Sequence, residues 1–378
     1  MNLHLFSEIA FWCAVIPSAL FCWNLVYFRR PPHVTETATD RPAISVLIPA
    51  RNEESNIGAA VEYVLASTKI DFELIVLDDA SIDRTAEIVS HFAAKDPRVR
   101  CIPAPKLKPG WAGKAHAAQA LSTHARHDIF CFIDADVRIA PDTLTRMHAL
   151  LVKTNSALVS GFPEEITVTP LEWLLLPLIQ FLLLCYLPFA GLRHTNLSGF
   201  GAGCGQFLMM TRHGYQKTGG YASVPTTMHD GIVLSKLFRK HRLHTEVADL
   251  TSLATCRMYT SSSDVWQGLT KNATEGIAAP ARIVPFTLLL VCGQILPWLL
   301  LLYVIIANDY ADLRLLIIAC SASLLPRLIS IARFRQRTSG AILHPLGICI
   351  LLILQWTALL RKLRGTQATW KGRAFNVG

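Results

Sequence analysis

Residues 129–136 read Ile129-Phe130-Cys131-Phe132-Ile133-Asp134-Ala135-Asp136, five apolar side chains running into two carboxylates one residue apart. A short unbroken apolar run bounded by a polar turn is the pattern of a strand buried on both faces. Two carboxylates at such a strand end can share one hard cation, because Mg²⁺ and Mn²⁺ prefer oxygen ligands. Working outward, the same texture recurs. Ile44–Ile48 is followed by Pro49 and a polar turn, Glu73–Leu77 runs into Asp78-Asp79, and Val99–Ile102 forms a shorter run. Helical patterns separate them, over 55–67, 85–94 and 114–124. Strands alternating with helices predict an α/β fold with a mostly parallel sheet and ligands at the carboxyl ends of the strands. Both acidic pairs lie at such ends.

The flanks have a different chemistry. Hydrophobic residues make up 52% of the 378 and charged residues 17%, and the formal net charge is +9. The apolar excess is gathered into runs at 5–28, 283–307, 313–331 and 341–360, the lengths that cross or enter a bilayer. Arg29 and Arg30 follow the first run directly, which predicts a retained anchor with its amino terminus outside and the next domain cytoplasmic. Arginine and lysine cluster beside apolar runs, so the positive charge is read as membrane-facing and the chain as having no nucleic-acid partner. The run 171–192, broken by Pro177, Gln180 and Pro188, is expected to lie on or dip into the membrane. Arg333, Arg335 and Arg337 favour a cytoplasmic loop, as do Arg361, Lys362 and Arg364, so the span count stays open. The expected organisation is an anchor at 1–30, a catalytic domain at 41–282 that includes the 171–192 segment, and hydrophobic helices with a basic tail at 283–378. The ten cysteines form no CxxC pair, which argues against a zinc site and fits a reducing compartment.

Several residues carry candidate chemistry. Asp134 and Asp136 are the expected metal ligands, able to place a divalent ion on a departing diphosphate. Asp78 and Asp79 can accept hydrogen bonds from a nucleobase or ribose, or can cap the following helix. Glu53 can bind ribose or hold its turn. Lys114 starts a helix and is either a nucleotide contact or a solvated lysine. Gly203, in the glycine-rich stretch 199–205, can floor a ligand where a bulkier side chain would block approach, or can belong to an ordinary turn.

Taken together, Ile48-Pro49-Ala50-Arg51-Asn52-Glu53, Leu77-Asp78-Asp79-Ala80-Ser81-Ile82-Asp83-Arg84-Thr85 and Asp134-Ala135-Asp136 resemble the family 2 glycosyltransferases of the GT-A fold. The segment Gly110-Trp111-Ala112-Gly113-Lys114, residues 199–206 and the tail 369–373 are similar to a membrane-bound subgroup that includes hopanoid- and carotenoid-associated members. The resemblance implies a nucleotide-sugar donor contacted by Pro49, Glu53, Asp78, Asp79, Lys114, Asp134 and Gly203, a Mg²⁺ or Mn²⁺ cofactor, and a lipid acceptor, with a terpenoid suggested by the subgroup. It implies single-displacement transfer with inversion, and a base at the last residue of an acidic pair, here matched by His229-Asp230. His229 departs from the pattern, leaving metal ligation, tuning of Asp230 or helix capping open. Processive members carry Gln-x-x-Arg-Trp after the base, and no Arg-Trp follows Gln267. A processive synthase and a non-catalytic nucleotide-sugar-binding scaffold are the alternative readings.

Overall fold

The computed structural model describes residues 3–34, 43–273, 276–364, 368–370 and 373–375, the last two stretches as backbone only. Residues 35–40, between the expected anchor and catalytic domain, and part of the tail motif at 369–373 lie outside these residues. Packing divides the chain into two units. One comprises 28–166, 189–258 and 368–378, and the other comprises 1–27, 167–188 and 259–367.

The first unit is built on eight strands: β1 (Ala43–Ala50), β2 (Asp71–Asp78), β3 (Val99–Pro103), β4 (Ile129–Ile133), β5 (Val137–Ile139), β6 (Leu158–Glu165), β7 (Phe207–Thr211) and β8 (Thr245–Cys256). Their order across the sheet is β3-β2-β1-β4-β7-β6-β8-β5. β1, β2, β3 and β4 are parallel, β7 runs antiparallel to β4 and β6, β8 is parallel to β6, and β5 is antiparallel to β8. This is a mixed α/β, Rossmann-like GT-A sheet. The four strands read from sequence are β1–β4, and the apolar runs fill both faces. One face packs Val46, Ile48, Val76 and Cys131 against Val61 and Val89. The other packs Leu47, Ile75, Phe130 and Phe132 against Ala118, Leu121 and Tyr215.

Strand direction gives the unit two functional edges. Ala50, Asp78, Ile133 and Glu165 all end their strands at one edge, where the chain also enters β7 at Phe207. The opposite edge gathers the starts of β6 and β8.

Among the described residues the second unit holds four helices long and apolar enough to cross a membrane: Leu3–Tyr27, Ile283–Ala307, Leu313–Phe334 and His344–Leu363. The chain is thus a multi-pass membrane protein by length and composition. The 171–192 run is broken into Pro170–Leu175, Pro177–Tyr186 and Phe189–His194. None of these pieces reaches spanning length, and each of the first two begins at a proline, which ends the preceding hydrogen-bond ladder and starts a new helix. Packing assigns 167–188 to this unit, where the sequence places them in the catalytic domain. Gly293 explains one close approach inside the unit: a Cβ there would lie 2.2 Å from the Cys13 carbonyl oxygen. Small residues let membrane helices approach this closely.

Candidate active site

The carboxyl edge of the sheet collects acidic groups around one lysine. Asp134 follows β4 directly, and its N–H donates to the Gln206 carbonyl at 3.1 Å, which fixes the turn against the start of β7. Lys114 lies in the first turn of Gly113–His124. Its ammonium is 2.7 Å from Asp134 Oδ1 and 3.1 Å from Asp230 Oδ2. It also donates to the Gly205 carbonyl at 3.3 Å. Burial pulls the Lys114 ammonium down, but the two carboxylates outweigh it and hold the pKa above the ordinary lysine range. A solvated lysine is therefore not what forms.

Asp230 opens the helix Asp230–Lys240 and is 5% exposed. The Tyr221 hydroxyl donates to its Oδ2 at 3.0 Å, and the Gly231 N–H donates to its Oδ1 at 2.9 Å. A carboxylate offers about four acceptor directions. Lys114, Tyr221 and Gly231 use three, which leaves one for an incoming proton. Close packing of the 199–206 loop on this helix places the group. A Cβ on Gly205 would lie 1.9 Å from Asp230 Oδ1, and one on Gly203 would lie 2.6 Å from the Gly231 carbonyl oxygen. Helix approach thus accounts for glycine at 203. His229 stands at the N-cap of this helix without a side-chain cap bond, and its carbonyl accepts from the Val233 N–H at 3.0 Å.

Asp136 faces a second, more buried set of groups. Its Oδ1 is buried without a hydrogen-bond partner. Burial pushes its pKa up, and the charge of Glu53 adds to the rise. Asp134 is raised as well, by burial first, against the pull of Lys114. Behind them, Gln206 donates to Glu165 Oε1 at 2.6 Å and to the Cys256 sulfur at 3.1 Å. Burial lifts Glu165 to about 8, and its Oε2 has no hydrogen-bond partner.

The residues present suit a divalent cation of limited protein ligation. Among the described residues no group of three or more His, Cys, Asp or Glu side chains is disposed to hold a metal. Mg²⁺, however, is commonly held by one or two carboxylates with substrate phosphates and water completing the shell. The orphaned Asp136 Oδ1 beside Asp134 matches that donor set.

The two turns at the ends of β1 and β2 are latched together. Asn52 N–H donates to Ser81 Oγ at 3.0 Å, and Ile82 N–H donates to Asn52 Oδ1 at 3.0 Å. Asp83 Oδ1 accepts from Thr85 N–H at 3.0 Å, holding the start of the next helix. That work is therefore not Asp78's. Asp78 Oδ2 accepts from Ser81 N–H at 3.3 Å, while Oδ1 is buried with no partner. Asp79 is 4% exposed, and its N–H donates to the Ala50 carbonyl. Glu53 Oε2 accepts from the Asn56 amide at 3.0 Å, so Glu53 does hold its turn. Pro49 lies within β1, opposite Leu77. Trp111 packs edge-on against His116, ring centroids 5.6 Å apart.

The sequence and the fold are similar to those of known proteins. Residues 45–219 match the family model described as glycosyl transferase family 2. Just under half of the chain thus resembles that family. The chain is 26% identical over 270 residues to a 4,4'-diaponeurosporenoate glycosyltransferase of Staphylococcus aureus, covering 69% of each chain. Its fold is similar to that of a mannosyltransferase from Pyrobaculum calidifontis solved with GDP-Man and Mn²⁺. The TM-score is 0.56 and the identity 18%, over 94% of this chain and 99% of that one. Tyr221, Glu165, Gln206 and Cys256 are the site residues that sequence reading missed. Glu165 ends a strand at the same edge as Asp78, so recognition of β6 would have exposed it.

Proposed function

We propose that this glycosyltransferase moves a single sugar, with inversion, from a nucleotide-sugar to a lipid embedded in the membrane. The observation that carries the reading is the bridge of Lys114 between Asp134 and Asp230, which brings residues distant in sequence into one cluster. In the reaction Asp230 accepts the proton of the acceptor hydroxyl as its oxygen attacks C1 of the donor sugar. The C1–oxygen bond to the diphosphate breaks, and the nucleoside diphosphate leaves with the electron pair. General-base assistance of this kind contributes ~10²–10⁴-fold.

Asp134 and Asp136 would hold the divalent cation, whose charge offsets that of the leaving diphosphate. Lys114 supplies a second positive charge and can exchange its carboxylate partners for phosphate oxygens. The open acceptor position of Asp78 suits a nucleobase or ribose donor, with Asp79, Glu53 and Pro49 in the adjoining turns. Gly203 lets the 199–206 loop pack closely on the helix that carries Asp230. The spanning helices place the enzyme where a lipid acceptor resides, and the Staphylococcus relative named for 4,4'-diaponeurosporenoate favours a terpenoid. Arg29 and Arg30 favour a cytoplasmic catalytic domain in the cell membrane.

The test uses the purified full chain with lipid extract and a panel of nucleotide-sugars. Asp230→Asn should abolish transfer while donor binding, followed by calorimetry, stays within a few-fold. Asp136→Ala should lose both transfer and the metal dependence of donor binding. An Asp230→Asn enzyme that retains activity removes the base assignment.

A further inference from the structure

The strand starts of the first unit frame a second site, on the edge opposite the acidic cluster. A cavity of about 670 Å³ opens there, lined by Arg29, Arg30, Lys153, Arg193, His244 and Glu246 among others. Lys153 ends the helix that leads into β6, and Glu246 is the second residue of β8. These positions are at the far ends of the same strands from Glu165 and Cys256.

The balance of charge is one-sided. Four permanent cations face one carboxylate in the lining. Glu246 is taken by Arg193, whose Nη2 and Nε donate to it at 2.8 and 3.1 Å. Asp249 lies 3.5 Å from Arg30 Nε, so among the described residues two carboxylates border four permanent cations. Burial holds His244 below its usual pKa, so its ring enters as a neutral hydrogen-bonding group.

Orientation of the first span explains Arg29 and Arg30 alone. Lys153 and Arg193 come from distant segments and converge on the same space, which topogenic sorting does not require. Arg29 follows Tyr27, the last residue of the span, by two positions, and a residue advances the chain by at most ~3.6 Å. The chain connection therefore keeps Arg29, a residue of the cavity wall, within about 7 Å of the last residue of that span. The segment is also fixed to its unit. Arg146 donates to the Pro31 carbonyl at 2.7 Å, and the Asp249 N–H donates to the Arg29 carbonyl at 3.0 Å.

We infer that this cavity binds the phosphate of an anionic phospholipid headgroup from the leaflet next to Arg29. The site is separate from sugar transfer and does not depend on the identity of the donor or acceptor.

The full chain in detergent would be titrated with short-chain phosphatidylglycerol, phosphatidylcholine and inorganic phosphate, following melting temperature and binding. Phosphatidylglycerol should raise the melting temperature, phosphatidylcholine should do little, and added salt should weaken the effect. Lys153→Glu and Arg29→Glu should each weaken phosphatidylglycerol binding about tenfold. Lys153→Arg and the charge-matched surface control Lys95→Glu should bind as the parent chain does, which separates loss of the site from loss of the fold. Equal affinity for phosphatidylglycerol in parent and Lys153→Glu chains overturns the inference. Inorganic phosphate as effective as the lipid overturns the lipid source in favour of a soluble phosphate ligand.

Discussion

Glycine at 205 is dictated by the carboxylate opposite it. With Asp230 Oδ1 only 1.9 Å from where a Cβ would stand, Gly205→Ala must push either the loop or the carboxylate aside. Displacement of a catalytic group by about 1 Å can cost ~10²-fold in rate. Gly205→Ala should therefore lower kcat by roughly that factor with a small change in KM, measurable by steady-state transfer assays. Glu165 offers a test in pH. A buried carboxyl raised to about 8 keeps its proton in the fold after the unfolded chain has lost it. The fold therefore loses stability progressively as pH climbs from the ordinary glutamate range to about 8. Glu165→Gln removes that loss. Its melting temperature in EDTA, without donor, should match the parent near pH 4.5 and exceed it increasingly up to pH 8. Asp134 and Asp136 stand out in the sequence as carboxylates at a strand end, whereas Asp230 was singled out by the family resemblance; the fold brings Asp134 and Asp230 to one lysine. Tyr221 and Glu165 do not stand out in the sequence, since only the folded packing joins them to the site.

Among the elements, β1 to β4 were readable because each is an apolar run closed by a polar turn. β6 was not. Its sequence, Leu158-Val159-Ser160-Gly161-Phe162-Pro163-Glu164-Glu165, carries a glycine and a proline, which demote a strand on local grounds. The structure accommodates the proline with a register shift against β8 between Pro163 and Glu164. β7 is short and runs against its neighbours, a direction that no local pattern encodes. The apolar helices were legible as spans by length, but their contacts were not. Gly293, at a π-helical turn over Val291–Ile295, is one such contact. Gly293→Val would drive a branched side chain into the backbone of the first span at Cys13. Overpacking of this kind costs about 1–3 kcal/mol. A lower melting temperature in detergent, with the donor-binding constant of the surviving folded fraction unchanged, is the expected result.

For the molecule as a whole, the sequence reading draws the border between α/β segments and apolar helices by composition. Packing draws it by contact, so 167–188 and 259–282 join the helices although they lie between or just beyond sheet-forming segments. The soluble unit in turn uses the full length of its strands. β6 runs eight residues from the basic cavity to Glu165, roughly 23 Å at the usual rise per residue. Ligands that far apart, sharing no side chain, should contribute independently to stability. Saturating the enzyme with donor and with anionic lipid should give two increments in unfolding free energy whose sum equals the effect of both together, and neither ligand should displace the other. The strand then acts as an insulator: headgroup composition would set how firmly the protein is held without altering how it selects its sugar.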